Sequence, residues 1–276
     1  MEEVFGVFGD PVEHSLSPVM HNAAISALGM KARYHAFRVS REGLGDALLG
    51  ACAMGFGGVN LTIPLKERAL ELGFLEPDAL SRGIGAVNTV DFKDGIRGFN
   101  TDGVGALRAL EDVCGSIRGK RVVLLGAGGA ARAIAFQFAS VGARVLIVNR
   151  TEERGRRLAE SVSSVGGAVE AFGFASLGEL LDSAHVLVNA TSVGMYPLVN
   201  RTIVTGDMLH PGLVVFDIVY NPLKTRLLLE AEAAGARIVT GEMMLVYQGA
   251  EAFRIWTGVM PPVDVMKRAV LDALGV

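Results

Sequence analysis

Cysteine is nearly absent from this chain: of 276 residues only Cys52 and Cys114 are cysteines, and they show no paired spacing. The sequence therefore predicts neither a disulfide framework nor a zinc cluster, and no other metal site is expected. The chain also lacks a strong excess of charge of either sign, since its formal net charge is only −3. That value argues against binding of nucleic acid or of an anionic membrane.

Long hydrophobic runs are missing as well. No stretch approaches the roughly 18–20 uninterrupted apolar residues of a membrane span. The chain begins with the acidic sequence Met-Glu-Glu and shows no signal peptide. A cytoplasmic location is the expectation that follows.

The chain does contain a regular alternation of strand and helix patterns, with no internal repeat. Its 276 residues suffice for two domains, and half of them are apolar. The alternation predicts an α/β fold with mostly parallel sheets, and the glycine-flanked stretch 115–119 marks the expected boundary. The predicted strands are 3–8, 33–39, 56–61, one from 85, 96–99, 121–125, 143–149, 168–172, 185–190 and 213–219. The predicted helices are 17–28, 41–54, 64–72, 102–113, 128–141, 151–164, 242–257 and 261–274.

A glycine turn between an apolar strand and a helix is the strongest local signal. The motif runs Gly126-x-Gly128-x-x-Ala131, and the next predicted strand ends in Asn149-Arg150-Thr151. Glycines at such a turn let the backbone approach a pyrophosphate at a helix N-terminus. An acid after the second strand would bind a ribose 2′-hydroxyl, whereas Arg150 offers a guanidinium to a 2′-phosphate, and Arg154 lies one turn further on. The pattern predicts a Rossmann-type domain that prefers NADP(H).

Polar residues follow the strands of the first domain. Ligands of an open parallel sheet collect beyond the carboxyl ends of its strands. Four segments deliver small hydroxyls, amides, one lysine and one aspartate to that rim: Ser15, Ser17, Asn60, Thr62, Lys66, Asn88, Thr89, Asn100, Thr101 and Asp102. This inventory suits a small polyhydroxylated molecule.

Purely structural roles are the competing interpretation of the same residues. Ser17 precedes a proline and fits a helix N-cap, and Thr101 or Asp102 fits the cap of the next helix. Lys66 lies in the first turn of a predicted helix and fits a solvated side chain. His14 and His21 are close in sequence, but no matching carboxylates accompany them.

Ordered motifs along nearly the whole chain resemble those of the shikimate dehydrogenase family. The segments that carry the resemblance are 15–22 (SLSPVMHN), 59–66 (VNLTIPLK), 84–89 (IGAVNT), 98–103 (GFNTDG), 126–130 (GAGGA), 149–154 (NRTEER), 189–195 (NATSVGM), 217–222 (DIVYNP), 241–249 (GEMMLVYQG) and 256–258 (WTG). The resemblance implies reduction of 3-dehydroshikimate to shikimate with NADPH, in aromatic amino-acid biosynthesis. It also implies that the last helices pack back on the first domain. The substrate-binding domain would then be 1–102 completed by 242–276, and the NADP-binding domain 103–241.

The resemblance also implies residue roles by matching positions. Ser15, Ser17 and Tyr220 would hold the substrate carboxylate, and Asn60, Thr62, Lys66, Asn88, Asp102 and Gln248 would surround the ring hydroxyls. Gly126, Ala127, Gly128, Gly129 and Ala130 would cradle the pyrophosphate. Asn149, Arg150 and Arg154, with Thr151 in the same motif, would bind the 2′-phosphate. Thr191, Ile218, Gly241 and Met244 would line the nicotinamide side.

Proton transfer in that reaction requires a side chain, because the alkoxide formed by hydride transfer must gain a proton. Lys66 and Asp102 are the ionisable residues of the rim motifs that can share this proton transfer. Lys66 is therefore expected to be the acid/base residue, and Asp102 to orient it or to relay protons.

Two other functions are weighed against this one. An NAD-dependent quinate/shikimate dehydrogenase is disfavoured by Arg150, and by the paired Ser15 and Ser17, since quinate carries a further hydroxyl that needs room near its carboxylate. A ligand-sensing module without turnover is disfavoured because both Lys66 and Asp102 are present. Neither nucleic acid nor membrane is an expected partner, and the oligomeric state, including a homodimer, stays open.

Overall fold

The computed structural model describes residues 2–276, which divide into two compact units. Unit 1 comprises Met1–Thr101 together with Val246–Val276, and unit 2 comprises Asp102–Leu245. Residues 102 and 242–245, which the sequence analysis placed in the first domain, thus belong to unit 2. Among residues 2–276, no helix combines the length and apolarity needed to cross a membrane.

Unit 1 contains a six-stranded sheet of mixed direction. Its strands are β1 (Glu3–Gly9), β2 (Ala32–Arg38), β3 (Gly58–Leu61), β4 (Glu76–Pro77), β5 (Thr89–Asp91) and β6 (Arg97–Phe99), and its helices before residue 101 are α1 (Ser17–Ala27), α2 (Leu44–Ala53), α3 (Leu65–Arg68) and α4 (Ala79–Ile84). The strand order is β2-β1-β3-β5-β6-β4. β1 runs parallel to β2 and β3, whereas β5 is antiparallel to both β3 and β6.

The segment around residue 85 corrects the sequence prediction. A strand from 85 was expected, but β5 begins only at Thr89, and residues 79–84 form the unpredicted α4. Asp78 caps this helix by accepting from the Ser81 N–H at 2.7 Å, and Gly85 ends it with φ +76°. A glycine is favoured at that left-handed C-terminal position. The hairpin that joins β5 to β6 turns at residues 93–95, where Gly95 has φ +96°.

Unit 2 contains a wholly parallel six-stranded sheet. Its strands are β7 (Arg121–Leu125), β8 (Arg144–Val148), β9 (Val169–Phe172), β10 (Val186–Asn189), β11 (Val214–Asp217) and β12 (Arg237–Val239), and its helices are α5 (Asp102–Cys114), α6 (Gly129–Ser140), α7 (Glu152–Ser163), α8 (Leu177–Asp182) and α9 (Arg226–Ala233). The order β12-β11-β10-β7-β8-β9 is that of the doubly wound dinucleotide-binding fold. Residues 122–125 are entirely buried, as expected for a strand covered on both faces.

Two helices complete the chain: α10 (Gly241–Thr257) and α11 (Val263–Leu274). Residues from 246 onward belong to unit 1, which confirms that the C-terminal helices return to the first domain. Trp256 on α10 stacks on Phe5 of β1, with 5.3 Å between ring centroids, and its Nε1–H donates to the Val90 carbonyl at 2.9 Å. The end of α10 is thereby fixed to the sheet of unit 1.

His21 lies in the core of unit 1, fully buried against aromatic rings. It stacks on Tyr34 with 4.3 Å between ring centroids, and neither of its ring nitrogens has a hydrogen-bond partner within residues 2–276. Burial lowers the pKa of His21 from about 6.5 to about 3. The unfolded chain therefore binds one more proton between these pH values, and stability falls as the pH falls through that window.

Replacing His21 by phenylalanine is expected to weaken this acid sensitivity. The aromatic stack is kept, but no group at position 21 needs to gain a proton on unfolding. Between pH 6.5 and 4.5 the free energy of unfolding of the wild type should fall by about 2–3 kcal/mol more than that of the variant. Urea titrations at the two pH values measure the difference. Equal losses of unfolding free energy in the two proteins would contradict the lowered pKa of His21.

Candidate active site

The N-terminus of α1 carries the two predicted serines. The helix begins at Ser17, with Leu16 in the capping position and no side-chain cap. The alternative that Ser17 is a helix cap is therefore wrong. The Ser17 N–H donates to Oγ of Ser15 at 3.3 Å, and the Ser17 side chain is buried while Ser15 is half-buried. Helix capping therefore does not account for the hydroxyl at position 17.

Three predicted amide side chains meet in unit 1. Nδ2 of Asn60 donates to the Asn88 carbonyl at 3.1 Å, and Nδ2 of Asn88 donates to Oε1 of Gln248 at 3.5 Å. Oδ1 of Asn88 accepts from the Thr101 N–H at 2.9 Å. All four residues are buried. β3, the segment before β5 and α10 thus deliver polar residues to one place. The rim pattern predicted this for Asn60, Asn88 and Thr101, whereas Gln248 was implied only by the family resemblance.

Thr62 and Lys66 lie next to this amide cluster in the chain. Thr62 follows β3, and its carbonyl accepts from the Leu65 N–H at 2.8 Å, which starts α3. The Lys66 carbonyl accepts from the Val87 N–H at 2.9 Å, so α3 is tied to the residue before Asn88. Both Thr62 and Lys66 are half-buried. The backbone of Lys66 is therefore held in place by the segment that carries Asn88.

Asp102 is the first residue of α5 and is only 7% exposed. It follows Thr101, whose N–H is bonded to Asn88, and it opens unit 2, whereas Lys66 belongs to unit 1. Among residues 2–276, no group of three or more His, Cys, Asp or Glu side chains is arranged to hold a metal ion.

The glycine turn of unit 2 has the geometry of an anion cradle. Gly126 has φ +110°, which favours glycine, and a Cβ there would lie 3.1 Å from the Ala190 carbonyl oxygen. At Gly128 and Gly129 a Cβ would meet nothing within 4 Å, so the turn is open on that side. Gly128 caps α6 without a side chain, which leaves the first N–H groups of that helix for an anion. Ala127 and Ala130 complete the turn and are half-buried.

The arginines after β8 fall into two groups. Arg156 and Arg157 pair with Glu152 and Glu153 on α7, at 2.6 Å and 3.0 Å. Arg150 and Arg154, the two predicted to bind a phosphate, are exposed and have no ion pair with any of residues 2–276. A neighbouring amide is fixed, because Nδ2 of Asn149 donates to the Thr151 carbonyl at 2.8 Å. Two uncompensated guanidinium groups suit a dianionic phosphate.

A buried hydrogen-bond network organises the ends of β10 and β11. Asp217 is fully buried, and its carboxylate accepts from Thr225 Oγ1 at 2.6 Å, Asn189 Nδ2 at 2.9 Å and the Val219 N–H at 3.1 Å. Oδ1 of Asn189 accepts in turn from Oγ1 of Thr191 at 2.7 Å. Asp217 therefore fixes both Thr191 and the segment that carries Ile218 and Tyr220.

The start of α10 packs on that same segment. A Cβ at Gly241 would lie 2.5 Å from the Ile218 carbonyl oxygen, so only glycine allows this approach. Met244, one turn further along α10, is 8% exposed. Tyr220 is half-buried in unit 2, and burial raises its pKa. The four residues predicted on the nicotinamide side all belong to unit 2: Thr191, Ile218, Gly241 and Met244.

Asp217 also predicts a pH dependence of stability. Burial raises its pKa from 3.8 to about 6, against the opposing effect of its three hydrogen bonds. The folded state therefore binds the extra proton between those values, and stability falls as the pH rises from about 4 to about 6. This sign is opposite to that of His21. On going from pH 6.5 to 4.5, the variant Asp217→Asn should lose about 2 kcal/mol more unfolding free energy than the wild type.

The control for this prediction is Asp182→Asn, an exposed aspartate of the same unit. Urea titrations of the three proteins at both pH values provide the comparison. A pH response of Asp217→Asn identical to that of Asp182→Asn would show that Asp217 is charged at both pH values.

Three buried polar residues form hydrogen bonds that fix predicted site residues, but the sequence analysis gave them no role. Asp217 and Asn189 stood within quoted motifs, but without an assignment. Tyr34 lies on β2, and its hydroxyl donates to Oδ1 of Asn60 at 2.8 Å. An isolated tyrosine in an alternating strand gives no sign of this contact.

Comparison with known proteins adds the family. Family models match residues 7–90 (shikimate dehydrogenase substrate binding domain), 108–222 (shikimate / quinate 5-dehydrogenase) and 241–271 (shikimate 5′-dehydrogenase C-terminal domain). The curated shikimate dehydrogenase (NADP(+)) of Methanosarcina mazei is 60% identical over 278 residues, which cover 99% of both chains.

Solved structures agree with the sequence relatives. A crystal structure of shikimate dehydrogenase in complex with NADP+ has a TM-score of 0.93 at 43% identity, covering 99% of this chain and 96% of the other. The enzyme of Thermus thermophilus, in complex with NADP(H) and shikimate, has a TM-score of 0.88 at 40% identity, covering 98% and 99%.

The doubly wound sheet and its glycine turn define an α/β protein with a Rossmann-type nucleotide-binding domain, and its dehydrogenase relatives make it an oxidoreductase. Within that class the relatives identify one family, since they match over nearly the full length of both chains. The chain belongs to the shikimate dehydrogenase family.

Proposed function

We propose that this protein reduces 3-dehydroshikimate to shikimate with NADPH, reversibly, as a step of aromatic amino-acid biosynthesis. The observation that carries the proposal is the buried amide cluster of Asn60, Asn88 and Gln248, with Lys66 tied to it through Val87. This arrangement offers neutral hydrogen-bonding groups and one cation to a small hydroxylated acid. The Methanosarcina and Thermus relatives named above support the same substrate and cofactor.

NADP(H) is the cofactor that the residues of unit 2 fit. The open side of Gly128 and Gly129 and the uncapped start of α6 suit a pyrophosphate. Arg150 and Arg154, with Asn149 and Thr151 beside them, suit the adenosine 2′-phosphate. Thr191, Ile218, Gly241 and Met244 are the residues proposed to hold the nicotinamide ring, with Asp217 fixing the first two.

The substrate is held by the residues of the rim. Ser15 and Ser17 bind its carboxylate, helped by Tyr220. Its ring hydroxyls are bound by six residues: Asn60, Thr62, Lys66, Asn88, Asp102 and Gln248. Neutral amides and hydroxyls dominate this set, so the ring hydroxyls are recognised mainly by hydrogen-bond direction rather than by charge.

NADPH, when bound, supplies the hydride for the carbonyl carbon of the substrate. The ammonium group of Lys66 stabilises the developing negative charge on the carbonyl oxygen and then donates its proton to it. Asp102 orients Lys66, and in the oxidation direction the pair passes the released proton towards water. The fixed backbone of α3 keeps Lys66 in position for this transfer.

The test is a matched set of steady-state assays. NADPH and NADH are each supplied with 3-dehydroshikimate, and NADP+ and NAD+ are each supplied with shikimate and with quinate. We expect the highest kcat/KM with NADPH and 3-dehydroshikimate. A preference for NAD+ with quinate would support the NAD-dependent alternative, and no turnover with any pair would support the sensing module. The cytoplasmic location stays a prediction.

A further inference from the structure

Tyr34 is held rigidly on β2 although it belongs to none of the recognised motifs. The residue is 1% exposed, and its ring stacks on His21 with an interplanar angle of 4°. The side chain of Asn22 binds its backbone at both ends: Nδ2 donates to the Tyr34 carbonyl at 2.8 Å, and Oδ1 accepts from the Tyr34 N–H at 3.0 Å. The position of the phenol oxygen is therefore fixed by contacts outside the substrate site.

The direction of the Tyr34–Asn60 hydrogen bond follows from the other partners of Asn60. A backbone carbonyl can only accept, so the atom of Asn60 that faces the Asn88 carbonyl at 3.1 Å must be Nδ2. The same nitrogen donates its second hydrogen to Oγ1 of Thr89 at 3.1 Å. Oδ1 of Asn60 then faces Tyr34, and the phenol donates to it at 2.8 Å.

This arrangement leaves Asn60 with one unused hydrogen-bonding position. Both of its N–H groups are used within the protein, and one lone pair of Oδ1 is used by Tyr34. The second lone pair of Oδ1 accepts a hydrogen bond but cannot donate one. Asn60 can therefore bind a hydroxyl of the substrate ring, and it repels a carbonyl oxygen placed at the same point.

Burial keeps the phenol of Tyr34 protonated, because it raises the pKa of Tyr34 well above its usual range. The phenol therefore retains the proton that it donates to Oδ1 of Asn60.

We propose that Tyr34 is a positioning residue that determines substrate specificity, because its hydroxyl holds Asn60 with only an acceptor presented to the substrate. The inference rests on the proposed function and adds to it the residue that fixes the orientation of the Asn60 amide. With that orientation, Asn60 accepts from a ring hydroxyl at a position other than the carbonyl that is reduced, and it does not bind a carbonyl there.

The experiment replaces Tyr34 by phenylalanine and measures both reactants by steady-state kinetics. Without the phenol, the Asn60 amide loses the partner that fixes its orientation. We expect KM for 3-dehydroshikimate to rise about tenfold, the effect of one buried hydrogen bond, with kcat changed less than about twofold. KM for NADPH should be unchanged. The shift in melting temperature produced by shikimate should shrink in parallel with the rise in KM.

Two further variants separate positioning from loss of stability. Trp256→Phe removes the buried bond from Nε1 to the Val90 carbonyl in the same core and should leave KM unchanged even if it lowers the melting temperature. Asn60→Ala should raise KM, and adding Tyr34→Phe to it should raise KM no further, because Tyr34 acts through Asn60.

The inference is overturned if Tyr34→Phe changes KM no more than Trp256→Phe does, or if the double variant multiplies the two single effects. These results require an active wild type. A wild type that does not oxidise NADPH with 3-dehydroshikimate overturns the proposed function itself, together with this inference.

Discussion

Replacing Lys66 by alanine is expected to lower kcat for 3-dehydroshikimate reduction by about 10²- to 10⁴-fold, the usual contribution of a general acid. The variant lacks the group that donates a proton to the oxygen of the reduced carbonyl. Its fold should persist, because the bond from the Val87 N–H to the backbone carbonyl of residue 66, which ties α3 to the rest of unit 1, is kept in the variant. Steady-state kinetics at saturating NADPH measure the loss.

The matched control is Lys93→Ala, which removes an exposed lysine from the hairpin between β5 and β6 of the same unit. It should keep the kcat of the wild type. KM for NADPH should be unaltered in both variants, since the cofactor residues are proposed in unit 2. A loss of less than about tenfold in Lys66→Ala would exclude Lys66 as the general acid.

Replacing Arg150 by alanine should reverse much of the preference for NADPH over NADH. Each charge-assisted hydrogen bond to the 2′-phosphate contributes about 1.5–3 kcal/mol, so kcat/KM with NADPH should fall by about 10- to 100-fold. NADH has no phosphate at that position, and its kcat/KM should stay within about twofold. The ratio of the two values, measured on one preparation, gives the result directly.

Arg157→Ala is the control for Arg150→Ala. Arg157 follows Arg150 by seven residues, but its guanidinium is paired with Glu153 at 3.0 Å. Its removal should leave both cofactors unaffected. Equal losses with NADPH and NADH in Arg150→Ala would mean that Arg150 supports the turn as a whole and does not select the phosphate.

The sequence predicted those parts of the fold that have strong local signals. Strands 121–125 and 144–148 and the helix between them were placed to within one residue at each end, because glycine, continuous apolar runs and helix periodicity agree there. Five short elements were not predicted: β4, α4, α8, α9 and β12. None exceeds eight residues, and short segments depend on the packing around them more than on their own pattern.

The candidate site shows the same division. Motifs identified the residues that are proposed to bind ligands, such as Ser15, Lys66 and Arg150. The motifs did not identify the residues that fix such side chains in place. Tyr34, which fixes Asn60, lies 26 residues before it, and the two meet only through the order and register of β2, β1 and β3. Asp217 is similar, because its partner Asn189 lies 28 residues earlier on the neighbouring strand. Such pairs depend on strand register, which a single sequence does not define.

The amide of Asn22 has a consequence for the behaviour of the protein in solution. β2 is an edge strand, and an edge presents unpaired N–H and C=O groups on which another chain can add a strand. Asn22 occupies both of these groups at Tyr34, as a paired strand would. A side chain thus blocks the growth of the sheet by intermolecular strand addition at this point. The contact of Asn22 with Tyr34 that fixes the residue proposed to position Asn60 also opposes aggregation through this edge of the sheet.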